Sequence, residues 1–82
     1  GSRTAVLEMM LDHTAGLLSS VLAVLSEAGA SVLTITQSLP IHGKASVTLS
    51  VDISGMSGPL ARLIDTLSAV SGVSACRLID LE

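Results

Sequence analysis

The hydrophobic pattern of this chain changes period four times, and each change falls at a turn-forming or helix-starting residue. From Arg3 to Leu11 the residues alternate, with Ala5, Leu7, Met9 and Leu11 on one side and Thr4, Val6, Glu8 and Met10 on the other. That is the period of a strand with one buried face. From Ala15 the apolar residues recur at Leu18, Val21, Leu22 and Leu25, the stripe of a helix on a core, and Gly29 supplies a left-handed stop. Ser31 to Leu39 alternates again, Val32, Thr34, Thr36 and Ser38 against Leu33, Ile35, Gln37 and Leu39, and Pro40 ends it. After the short turn Ile41-His42-Gly43-Lys44, a third strand from Ala45 to Ile53 puts Val47, Leu49 and Val51 inward, so these two strands form a hairpin. Ser57 as cap and Pro59 in a first turn open a second helix with its stripe on Leu60, Leu63, Ile64, Leu67 and Val70. Gly72 follows it, and Val73 to Leu81 is the last strand.

Two strand–helix–strand units in series, joined by right-handed crossovers, dictate an α+β fold. The expectation is a ferredoxin-like βαββαβ sandwich: a four-stranded antiparallel sheet, both helices on one face, and the first and third strands central. The second and fourth strands are then edges. The stretch from Ser31 to Leu39 carries no charge, although natural edges use Lys, a bulge or proline against unwanted pairing. An uncharged edge predicts a homodimer.

Gly1-Ser2 has the look of an expression-tag remnant, which leaves residues 3–82 as a single domain excised from a longer protein. At 82 residues, such a domain buries only about 60–65% of its unfolded surface. The chain is 49% hydrophobic and 13% charged, against roughly 25% charged in an average domain, so some apolar surface is expected to meet another protein. The net charge of −3, four scattered cations and the complete absence of aromatic residues argue against nucleic acid, which needs a basic stripe or stacking platforms. The longest apolar stretch, Val21 to Leu25, is far too short to span a membrane. A single cysteine, Cys76, forms no internal disulfide and suits a reducing cytoplasm.

The most polar few residues are Asp12-His13-Thr14-Ala15-Gly16, directly before the first helix. Thr14 or Asp12 is placed to cap helical N–H groups. Glycine in a first helical turn costs up to about 1 kcal/mol, which a cap does not require. Lacking a Cβ, Gly16 lets a carboxylate approach the amides of Ala15, Gly16 and Leu17 at the positive end of the helix, while Asp12 or nearby carbonyls take an ammonium. The residues alone leave two readings open, a tight capped turn or a site shaped for an amino acid.

The stretch "LDHTAGLLSSVLAVLSEAGASVLTITQS" resembles the signature of the ACT domain, an acid-x-x-x-Gly turn between a first strand and a leucine-rich helix, then a second strand. The run "VLTITQSLPIHGKASVTLSVD" is similar to the bacterial PheB-type ACT proteins. The resemblance covers Thr4 to Leu81. It implies regulatory binding of amino acids at an interface between two paired domains. The family's ligand contacts map to Asp12, His13, Thr14, Ala15, Gly16 and Leu17 on one domain, with Ser31, Val32 and Leu33 of the second strand opposite. Many amino-acid-binding members carry proline where Ala15 stands and asparagine where Ser31 stands. A serine hydroxyl offers fewer hydrogen bonds than an amide. The alternative reading is a ligand-free assembly module of a PheB-type protein.

Catalysis is not expected. PheB-type proteins are associated by name with chorismate mutase, whose dianionic substrate needs converging cations, and Arg3, Arg62 and Arg77 fall on three separate elements. His13 and His42 have no spacing to Cys76 that makes a metal site, so no cofactor is expected.

Overall fold

A computed structural model of the chain describes residues 3–82, so Gly1-Ser2 and the tag assigned to it lie outside the described residues. The element order is β1 (Thr4–Asp12), α1 (Leu17–Glu27), β2 (Ser31–Gln37), β3 (Lys44–Asp52), α2 (Leu60–Ser68) and β4 (Val73–Leu81). The sheet runs β2-β3-β1-β4 with every neighbouring pair antiparallel, which is the expected ferredoxin-like topology with β3 and β1 central.

The core is built where the two central strands meet the helices. Ala5, Leu7, Met9 and Leu11 of β1 and Val47, Leu49 and Val51 of β3 are buried against Leu17, Val21 and Leu25 of α1 and Leu63 and Leu67 of α2. These strands are in unbroken register from Thr4↔Asp52 to Asp12↔Lys44, so the alternation of each adds to the same face. The α1 stripe is rotated from the expected one. Leu17 takes the buried place, while Leu18 and Leu22 only pack on the core's margin. The helix starts later than its sequence suggests, and that shift moves the buried row.

β2 departs most from expectation. Val32 pairs with Val51 and Thr34 with Ser50, so Leu33 is an extra residue and the strand carries a β-bulge. Val32 therefore shares the helix side with Val51, where the plain alternation had set it with the threonines, and Leu33 is left without a partner. The edge does have one of the devices that limit strand pairing. No residue of β2 is buried, and Val32, Leu33 and Ile35 are 38%, 56% and 41% exposed.

The hairpin between β2 and β3 closes through paired bonds from Ile41 N–H to the Lys44 carbonyl (2.8 Å) and back (3.1 Å). His42 at its tip has φ +53°, the left-handed region that L-residues seldom occupy. Two glycines make close backbone approaches. A Cβ on Gly29 would lie 2.6 Å from the Gly55 carbonyl oxygen, and one on Gly72 would lie 2.8 Å from Leu17 Cδ2. The exit of each helix thus rests on the entry to the other.

Candidate functional site

β1 ends at one rim of the sheet, and Asp12 hands the chain to the turn Thr14-Ala15-Gly16-Leu17. The Leu17 N–H donates to the Thr14 carbonyl at 3.2 Å, and Gly16 has φ 83° and ψ −9°. Those angles are the third position of a type II turn, which requires positive φ and hence glycine. Gly16 is the residue before α1 rather than part of its first turn, so its backbone explains it without reference to a ligand.

The expected capping is corrected accordingly. Neither Thr14 nor Asp12 caps α1, and no side chain does; Thr14 instead donates its N–H to the Asp12 carbonyl at 2.9 Å. At α2, Pro59 precedes the helix, and Ser57 is bound through its N–H to the Ala28 carbonyl rather than serving as cap. Asp12 is drawn sideways: Lys44 Nζ lies 2.6 Å from its Oδ1 and 3.0 Å from Ser74 Oγ, so one lysine ties β3 to β1 and β4. This pair is half exposed and adds at most about 1 kcal/mol.

The turn borders a shallow depression of about 390 Å³. Asp12, Thr14, Ala15, Gly16 and Leu17 line it, together with Ser20, Ser71 and Gly72, which the sequence did not suggest. Ser71 and Gly72 arrive because Asp12 N–H donates to the Gly72 carbonyl at 2.9 Å, a β1–β4 rim contact. The twofold echo of strand, helix and strand was the available signal, since it places the second helix's exit beside the first helix's entry. His13 is turned elsewhere, its N–H donating to the Gly43 carbonyl at 2.7 Å.

The amides available to an anion are fewer than expected. Among the described residues, the N–H groups of Ala15 and Gly16 have no acceptor, whereas that of Leu17 is used inside the turn. Space above Gly16 is open, with nothing within 4 Å of where a Cβ would stand. The Leu17 side chain is in the core.

Ser31, Val32 and Leu33 are not beside this turn. Ser31 pairs with Asp52, which pairs with Thr4, so they lie at the other end of the strands, roughly 26 Å away at ~3.3 Å per residue. One copy of the chain does not bring the two halves together.

The cations are dispersed. Arg77 donates from Nε and Nη2 to Glu8 Oε1 at 3.0 and 2.9 Å, and Arg62 is exposed on α2. Burial pushes the Cys76 thiol above its ordinary 9.0, so it is a poor nucleophile. Among the described residues, no group of three or more His, Cys, Asp or Glu could hold a metal, and no helix is long and apolar enough to cross a membrane.

This fold, with its glycine turn between first strand and first helix, is similar to that of solved ACT domains. The ACT domain of the GTP pyrophosphokinase of Chlorobium tepidum superposes with a TM-score of 0.74 over 96% of this chain and 100% of its own, at 18% identity. Aspartokinase III of E. coli, solved in complex with lysine and aspartate, matches 98% of this chain with 17% of its own, at TM-score 0.60 and 29% identity. In sequence, a UPF0735 ACT domain-containing protein of Lacticaseibacillus casei is 47% identical over 81 residues, 99% of this chain. Fold and sequence both support the ACT domain family. The chain spans 56% of the length of that relative. No family model matches the chain.

Proposed function

We infer that this domain is a cytoplasmic, non-catalytic sensor of a free amino acid, working as a homodimer with the ligand held between two copies. The observation that carries the reading is the separation of the turn from Ser31–Leu33 to opposite ends of one domain. Antiparallel pairing of two β2 edges about a twofold axis reverses those ends. The start of one β2 then falls at the end of its mate nearest the mate's turn. The bulge leaves Thr34–Gln37 as the regular stretch for such pairing. A carboxylate would take the amides of Ala15 and Gly16, and an ammonium the free Oδ2 of Asp12. Ligand that binds one arrangement of the pair better than another shifts an attached protein by that difference in affinity. The similarity to E. coli aspartokinase III, whose structure holds lysine and aspartate, supports an amino acid as ligand. Resemblance to the PheB-type proteins makes their attached segment the responding part.

A thermal-shift series with the free amino acids tests this. Ligand at a hundred times its Kd adds about 2.7 kcal/mol to the folded dimer. The expected result is a raised midpoint together with shifted amide resonances of Ala15 and Gly16; no movement of either at millimolar ligand ends the sensor reading. The second reading, an assembly module without ligand, is favoured by the Leu17 amide and Asp12 Oδ1 already being engaged. It predicts a dimer in sedimentation that no amino acid affects.

A further inference from the structure

We propose that the cleft between the exit of α1 and the entry to α2 is a ligand site separate from the turn at Gly16, and that it takes a small zwitterion with an aliphatic side chain. The cleft lies at the opposite end of the strands from that turn and is complete within one copy of the chain. The inference goes beyond the sensor reading and does not depend on it.

The cleft has a volume of about 300 Å³. Its floor is apolar: Val24 of α1, Ala28 just after it, Leu63 of α2, and Met56 of the loop between β3 and α2. Leu63 is buried and the other three are half-buried, so a ligand that covers them removes apolar surface from water without opening the core. The flexible thioether of Met56 lets the floor fit side chains of different shape. The walls are fixed before any ligand arrives. The Ser57 N–H donates to the Ala28 carbonyl at 3.1 Å, and the Met56 N–H donates to the Ile53 carbonyl at 3.1 Å. Preformed clefts of this size are where small ligands bind.

Two opposite charges border the floor, and neither has a partner. Among the described residues, the ion pairs are Lys44 with Asp12 and Arg77 with Glu8. Glu27 of α1 and Arg62 of α2 both line the cleft, yet they pair neither with each other nor with another charge. Arg62 is folded back over the loop, its Nη1 3.8 Å from where a side chain on Gly58 would begin. Gly58 has φ +90°, and its bare backbone leaves the guanidinium that place. A guanidinium is a bidentate partner for a carboxylate, and Glu27 is an acceptor for an ammonium. A plain anion would meet Glu27 and a plain cation Arg62. A molecule carrying both charges satisfies each. The Thr66 hydroxyl is engaged elsewhere, donating to the Arg62 carbonyl at 2.9 Å, so the ligand's side chain meets aliphatic groups.

The test uses leucine and two analogues that each lack one charge, leucinamide and 4-methylpentanoate, titrated into the 82-residue chain and followed by NMR at the Met56 methyl and the Ser57 amide. Leucine should shift both signals to saturation, and each analogue should bind about fivefold more weakly, the scale of a partly exposed ion pair. Arg62→Gln should weaken leucine about fivefold and leave leucinamide unchanged, whereas Glu27→Gln should weaken leucine equally and leave 4-methylpentanoate unchanged. Both side chains are exposed, so circular dichroism should be the same for all three chains. Equal binding of leucine and both analogues would overturn the proposal, because the cleft would then recognise no charge. Shifts confined to Ala15 and Gly16 would also overturn it while leaving the sensor reading intact, and shifts confined to Met56 and Ser57 would do the reverse.

Discussion

Gly16 and Gly29 have nearly the same backbone angle, φ +83° and +84°, but a side chain at each meets different surroundings. At Gly16 there is open space, so Gly16→Ala costs only the left-handed conformation, about 1 kcal/mol. At Gly29 the added carbon would also strike the Gly55 carbonyl at 2.6 Å, and Gly29→Ala should cost on the order of 3 kcal/mol or more. Urea unfolding followed by circular dichroism separates the two; equal losses would mean the close approach relaxes without penalty. Ala15 occupies the second position of the type II turn, where proline's fixed φ fits, and its N–H has no acceptor to lose. Ala15→Pro is therefore expected to stabilise by ~0.4–1 kcal/mol, a rise of several degrees in Tm. Cys76 titrates in the opposite sense to a paired carboxylate. Burial favours its neutral thiol, so the stability this provides is complete below 9.0 and is lost as pH rises through the higher folded value. Reaction with a thiol reagent should accelerate only above that pH in the native protein, but at 9.0 once unfolded.

Of the six elements, those with strict periodicity were legible in the sequence. β1 and β3 alternate without a break over Ala5–Leu11 and Ala45–Val51, and both are buried centre strands as expected. β2 was legible as a strand but not in its faces, because a bulge adds one residue without leaving any mark in composition. The start of α1 was misplaced for a similar reason. A polar residue before an apolar stripe signals a cap, yet the type II turn delays the helix to Leu17 and satisfies the Thr14 carbonyl itself. Asp12, Thr14, Ala15 and Gly16 stood out in the sequence and line the depression, His13 does not, and Ser71 and Gly72 join only through the β1–β4 rim. The edge position of β2 carries its own prediction. Leu49→Ala in the core should cost about 2–5 kcal/mol, while Ile35→Ser should leave the fold nearly as stable and weaken dimerisation. Sedimentation velocity at several concentrations checks this, and an Ile35→Ser chain that dimerises as before would show that β2 is not the contact.

At the scale of the molecule, the helices cover the two central strands and leave both edges apolar. Leu78, Ile79 and Leu81 on β4 are exposed as Val32, Leu33 and Ile35 are on β2. A chain of 82 residues with so thin a core is expected to draw stability from association. Its Tm should rise with protein concentration, as mass action requires of a dimer. A midpoint constant over a hundredfold range of concentration would identify a self-sufficient monomer.

The reciprocal packing of helix exits on helix entries has one further effect. Gly72 sits under Leu17, so the shape of the turn that faces solvent is fixed from beneath by the far half of the chain. A side chain added at Gly72 is therefore expected to reshape that turn, although the two lie far apart in the sequence.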